Sequence, residues 1–188
     1  MTSCLIVSSL AKSIDALGSL VKNSGIQQVE TAKSASEARR FIQSKSYDVV
    51  VINTPLKDEF GHDLAFTITE NTDSGVVMLV KNELLEEISS KLCDYGTLCI
   101  GKPMDRSLFE QGVHLALAMH RRIAAIAKKN SILQEKMDEL RIVSRAKCCL
   151  IENRGMSENE AHRYIEKKAM DQRETKVKVA QAILAKYE

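Results

Sequence analysis

Tyr47-Asp48-Val49-Val50-Val51-Ile52-Asn53 is the stretch on which the fold turns. Its run of β-branched residues is apolar on both faces of a strand, whereas a strand with one face in water alternates apolar with polar. A central parallel strand covered by helices on both sides has this pattern. The flanking segments supply those helices.

Upstream, Cys4-Leu5-Ile6-Val7 runs into Ser8-Ser9, after which Ile14, Leu17, Leu20 and Val21 share a helical face that Gly25 ends. Ile26 to Thr31 reads as a second strand. Ser34 and Glu37, three residues apart, form a capping box for a helix carrying Ala38, Phe41 and Ile42. Downstream, a loop over 53–61 leads to a helix over 62–70, a strand from Val76 to Val80, a helix around Glu83 to Cys93 and a strand from Thr97 to Ile100. These alternations predict an open, doubly wound α/β domain with a five-stranded parallel sheet. Function in such sheets sits at the carboxyl ends of the strands, here Ser8-Ser9, Asn53, Val80-Lys81 and Lys102-Pro103.

From Asp105 to about Asn153 there is no proline and, after Gly112, no glycine. Ala116, Met119, Ile123, Ile126, Asn130, Leu133, Met137 and Leu140 fall at alternating spacings of 3 and 4, the seam of a coiled coil. Asn130 occupies an a position, where a buried Asn pairs best with its own copy in a parallel dimer. The expectation is a homodimer of modest stability, because Lys136 would face the partner's Arg141. Gly155 closes this helix, and Ser157 with Glu160 caps the next, which runs from Glu158 to about Gln172; a last helix starts near Thr175. Such a unit of under fifty residues is too small to be stable without its long first helix.

Residues 1–105 carry a net charge of −4 and residues 106–188 one of +6, so the basic C-terminal part suits a polyanionic partner. Five cysteines without CxxC spacing point to a reduced, cytoplasmic protein with no metal site. Neither a leader nor a membrane-length apolar run is present, so a soluble, intracellular protein without cofactors is expected.

Over roughly residues 1–120 the order and spacing resemble the receiver domain of two-component response regulators, a flavodoxin-type fold. That resemblance places acidic Mg²⁺ ligands at the first strand's end, the phosphoacceptor aspartate at the third, a hydroxyl at the fourth and Lys-Pro after the fifth. Lys102-Pro103 is kept. Ser8 and Ser9 replace the acidic pair, Asn53 the aspartate and Val80 the hydroxyl, while Cys99 takes the aromatic switch position. An amide is a poor nucleophile toward phosphorus, and two serines lack the anionic oxygens Mg²⁺ prefers. The domain therefore reads as a pseudo-receiver that takes no phosphate at Asn53, with Lys102 left to bond Asn53 or a backbone carbonyl. Asp58 and Glu59 follow in a loop without a metal pocket to support phosphoryl transfer. Antiterminators of the amidase-operon type are similar in having an atypical receiver under a partner protein's control, which implies a regulatory protein or small ligand at this domain.

Over about 138–188, Arg145-Ala146-Lys147, Leu150, Gly155-Met156-Ser157-Glu158, Ala161, Tyr164-Ile165, Ala169-Met170 and Val179-Ala180 through Ile183 resemble the ANTAR domain, the RNA-binding output module of antitermination regulators. Cys148 departs from the family's usual Gly. The resemblance implies binding of paired leader-RNA hairpins by a dimer, through a connector helix over 105–140. Arg145, Lys147, Arg154, Arg163, Lys167, Lys168 and Arg173 are candidates for phosphate contact. Tyr164 stacks on a base or, at the spacing of Ala161 and Ile165, fills the core. The competing readings are a protein-docking adaptor without RNA binding and a DNA-binding regulator of helix-turn-helix type. No catalytic residue is assigned, and the chain does not read as an enzyme.

Overall fold

The computed structural model describes residues 2–187. Five parallel strands, β1 (Ser3–Ser8), β2 (Gln28–Ala32), β3 (Val49–Asn53), β4 (Gly75–Lys81) and β5 (Thr97–Lys102), form one sheet in the order β2-β1-β3-β4-β5. Between them lie α1 (Ala11–Asn23), α2 (Ala35–Ser44), α3 (His62–Asn71) and α4 (Asn82–Leu92), with a 3₁₀ turn at Cys93–Tyr95. Then come α5 (Arg106–Arg154), α6 (Glu158–Gln172) and α7 (Lys176–Tyr187). Backbone packing divides the chain into two units, residues 1–125 and 126–188, and α5 contributes to both.

In the first unit β3 is buried on both faces. Val50 and Ile52 enter one core with Leu64, Ala65 and Ile68 of α3 and Ile88 of α4. Val49 and Val51 enter the other with Leu17 and Val21 of α1 and Phe109, Val113, Ala116 and Leu117 of α5. The strand order reverses between β1 and β3, so the groove of a doubly wound sheet opens at Ser8 and Asn53, which are register partners.

Asp105 starts α5, its Oδ1 accepting from the N–H groups of Ser107 and Leu108 at 2.8 and 3.1 Å. Farther along, His120 Nδ1 lies 2.7 Å from the Asp73 carbonyl and Nε2 lies 3.1 Å from Asp48 Oδ1, which fastens the helix beside the amino ends of the strands. The approach of α5 is close enough that a Cβ on Gly75 would sit 2.3 Å from the Ala116 carbonyl oxygen.

Ala116 is therefore removed from the expected seam: it is 3% exposed, packed against the sheet of its own chain. The reason is that the apolar face of a helix docking on a sheet has the same spacing as the start of a heptad. Met119 is partly covered, its Cε lying 3.3 Å from where a Gly96 Cβ would be. Beyond it, Ile123, Ile126, Leu133, Met137 and Leu140 are 45, 50, 58, 51 and 68% exposed, and Asn130 is exposed between them.

The second unit closes a core of its own from Ala146 and Leu150 of α5, Ala161, Ile165 and Ala169 of α6, and Val179, Ala180, Ile183 and Leu184 of α7. Ser157 and Glu160 make the reciprocal capping box at the start of α6. Gly155, at φ 64°, turns the chain between α5 and α6. No helix among the described residues is long and apolar enough to cross a membrane.

Candidate functional site

At the carboxyl ends of the strands, Asn53 Nδ2 donates to Ser8 Oγ at 3.0 Å, and Lys102 Nζ donates to Asn53 Oδ1 at 3.0 Å. The same ammonium also donates to the Thr54 carbonyl. Ser8 and Asn53 are buried, and burial, with Lys81 as a lesser cause, moves the Lys102 pKa below its ordinary value. An ammonium in that position has no carboxylate ion-pair partner among the described residues. Its protons go to an amide and a carbonyl instead.

The strand-end residues do not all meet. Ser9 is exposed and donates to the Pro55 carbonyl at 3.2 Å. Val80 is fully buried among the residues beneath α2, α3 and α4, so the position is spent on packing. Thr54 stands nearby with a hydroxyl, but it donates to the Leu79 carbonyl at 2.8 Å. Cys99 is half-buried, and its thiol is pushed up to about 11 by that burial, which leaves it a poor nucleophile at neutral pH. A cavity of about 240 Å³ adjoins Asn53, Lys102 and Met104.

The loop after β3 is tied down by its carboxylates. Asp58 accepts from the N–H groups of Ala35 and Ser36 at 2.8 and 2.9 Å and from Ser36 Oγ at 2.8 Å, and these donors hold its pKa at about 2. Glu59 accepts from the Leu64 N–H at 3.0 Å and pairs with Arg39 at 2.8 Å. Both side chains cap helices, Asp58 at α2 and Glu59 at α3, which the sequence reading had not assigned. Among the described residues no group of three or more His, Cys, Asp or Glu side chains gathers to hold a metal.

The basic candidates of the second unit divide by their partners. Lys147 is paired with Glu158 at 2.9 Å, its side chain only 20% exposed. Arg163 and Lys167 are exposed on α6, as is Arg145 near the end of α5. Arg173 serves the backbone: it ends α6 in the left-handed region at φ 53°, its N–H donating to the Met170 carbonyl at 3.2 Å. Arg154, Tyr164 and Lys168 come together. The Arg154 guanidinium carbon lies 5.3 Å from the Tyr164 ring centre, and Lys168 Nζ lies 5.9 Å from it. Tyr164 is half-buried against the core, so it packs with its body and offers the rest of its ring to cations.

Tyr187 and Lys186 complete this cluster and were not among the sequence candidates. Arg154 Nε donates to the Tyr187 hydroxyl at 2.7 Å. The phase of Ile183, Leu184 and Tyr187 along α7 marks the tyrosine as a core residue, and nothing local ties it to an arginine 33 positions earlier.

Residues 132–184 match the ANTAR domain. The transcriptional regulatory protein PdtaR of Mycobacterium tuberculosis is 27% identical over 172 residues, covering 89% of this chain and 82% of that protein. The aliphatic amidase regulator of Pseudomonas aeruginosa is 28% identical over 147 residues, 74% of each. Among solved structures, the signal receiver domain of an HD domain-containing protein from Pseudomonas fluorescens has a TM-score of 0.58 at 19% identity, covering 66% of this chain and 92% of that one. The non-phosphorylated HemR receiver domain of Leptospira biflexa gives 0.55 at 24% identity, covering 62% and 94%. These two likenesses concern the fold.

Proposed function

We propose, from the ANTAR match, the likeness to PdtaR and the receiver fold of the first domain, that the chain is an ANTAR-domain response regulator, an RNA-binding transcription antitermination regulator acting as a homodimer. The observation that carries this reading is the ANTAR match over residues 132–184 on a unit whose exposed basic residues face solvent. Leader-RNA hairpins are the ligand, with phosphates taken by the set Arg145, Arg154, Arg163, Lys167, Lys168 and Arg173. Lys147, matched to Glu158, contributes less. No catalytic role is assigned.

The receiver domain works without phosphate at residue 53 in this reading. Its pocket holds one ammonium on neutral acceptors, the Asn53 amide and the Thr54 carbonyl, and control comes from a protein or small ligand that binds the domain. Dimerisation runs along Ile123, Ile126, Asn130, Leu133, Met137 and Leu140, whose apolar members stand in water in a single chain.

The decisive measurement is affinity for tandem-hairpin leader RNA at several salt concentrations. Preference for hairpins over scrambled RNA of equal length, with steep salt dependence, is the expected result; equal affinity for both removes the proposal. Asn130→Leu should strengthen or re-register self-association in sedimentation and alter RNA affinity with it. If both stay as in the wild type, the stripe is not a dimer seam. Incubation with acetyl phosphate and Mg²⁺ should leave the intact mass unchanged, and a stable phosphate adduct would refute a phosphate-free receiver.

A further inference from the structure

Three helices converge on one guanidinium. Arg154 is the last residue of α5, Tyr164 lies in the second turn of α6, and Tyr187 is the last residue of α7. With Nε donating to the Tyr187 hydroxyl at 2.7 Å, and with the ring centres of Tyr164 and Tyr187 at 5.3 and 5.8 Å from its central carbon, Arg154 is held at its base and along its plane. A guanidinium carries five N–H donors in a rigid fork. Fixing Nε orients the two terminal nitrogens, which stand beside the Tyr164 ring on an exposed residue.

The charge around that pair is unmatched. Lys168 Nζ stands 5.9 Å from the Tyr164 ring centre and Lys186 Nζ 5.8 Å from that of Tyr187. None of the three cations has an ion-pair partner among the described residues, whereas Lys147 is matched to Glu158 and Lys176 to Glu166. Carboxylates on α6 thus neutralise its neighbours and leave this corner positive. Oriented donors beside uncompensated cations fit a tetrahedral dianion or monoanion oxygen pair better than a neutral base edge.

We propose that Arg154 is a preorganised fork for one phosphodiester of the RNA backbone, bound through its two terminal nitrogens. Tyr187 and Tyr164 act as positioning residues, and Lys168 and Lys186 strengthen the local field. This rests on the RNA-binding reading above and deepens it by naming the contact and the residues that hold it.

The test uses the full chain and a pool of synthetic RNA hairpins with one stem and a randomised loop. Arg154→Lys, which keeps charge but loses the fork, should weaken binding about tenfold. Tyr187→Phe keeps the ring and loses the hydroxyl that holds Nε; a loss of about threefold is expected. In Arg154→Ala the slope of log affinity against log salt should fall by about 0.7 to 0.9, the share of one phosphate, with all loop sequences affected alike. Thermal melting should be close to wild type in the two conservative variants, which keeps a folding defect from imitating the result. If the wild type binds hairpins and both conservative variants bind equally well, the fork is refuted while RNA binding stands. A loss confined to certain loop sequences, with the salt slope unchanged, would assign Arg154 to a base edge and refute the phosphate contact. If the wild type binds no hairpin, the fork and the RNA-binding reading fall together.

Discussion

Lys102 and Arg154 are the two cations around which the chain's units arrange their polar side chains, and they are handled in opposite ways. Lys102 sits at the end of β5 with its protons given to Asn53 Oδ1 and the Thr54 carbonyl, and Asn53 passes the chain on to Ser8. Both acceptors of the ammonium in that sequence are groups of the protein itself. Arg154 gives its Nε proton to Tyr187, lies beside the Tyr164 ring and is exposed to solvent, with no carboxylate ion-pair partner among the described residues. A cation that is satisfied internally supports structure, while one that is oriented but unsatisfied is available to a ligand. Net charge does not separate the two cases; the partners do.

The sharpest way to break this contrast is Asn53→Leu. It removes the amide donor to the buried Ser8 hydroxyl and one of the two acceptors of the Lys102 ammonium, which keeps the Thr54 carbonyl, so urea unfolding should register a loss of about 1–3 kcal/mol, with hairpin affinity unchanged. Were the loss below about 0.5 kcal/mol, within the range of an ordinary surface substitution, the network would not be structural. Arg154→Ala reverses the outcome: hairpin affinity should fall about tenfold, the size of one well-made charged contact, while the melting temperature stays close to that of the wild type.

Acid unfolding tests the loop that follows Asn53. The Asp58 carboxylate is held at about 2 by the Ser36 and Ala35 N–H groups, below the unfolded value of about 3.9. A depressed folded pKa adds stability above the unfolded value, and that stability is lost as pH falls through 4 toward about 2. Asp58→Asn should therefore flatten the stability profile between pH 5 and pH 2 in denaturant titrations, by a small amount because the group is exposed to solvent. A profile parallel to that of the wild type would deny Asp58 its capping role. The smallest effect belongs to Lys147→Met, which removes a surface ion pair worth about 0.2–1 kcal/mol and should leave hairpin affinity nearly constant. A loss as large as that of Arg154→Ala would show that matching by Glu158 does not withdraw a cation from RNA.

How much of this was legible in the sequence depended on whether the determining contacts were local. Val49-Val50-Val51-Ile52 announces a doubly covered strand because burial on both faces needs no partner to be named, and the sheet has β3 at its centre. The capping box at Ser157 and Glu160 is equally local and places the start of α6 at Glu158. Ala116 was misread because two different partners, a sheet and a second helix, ask for the same spacing on α5. Val80 was aligned with a pocket position by its place at a strand end, but the alternation of a strand turns it into the core. Asp58 capping α2 and Tyr187 holding Arg154 join residues 22 and 33 positions apart, and no periodicity records such pairs.

The closed chain of Ser8, Asn53 and Lys102 bears on time as well as on affinity. A covalent mark outlasts the event that made it and must be removed by hydrolysis, so a domain that carries one keeps a record of past input. In the proposed phosphate-free reading, with an amide at residue 53, this pocket keeps no such record. On that proposal, a ligand or protein at the domain acts only while it stays bound, and the response decays at the rate of its dissociation.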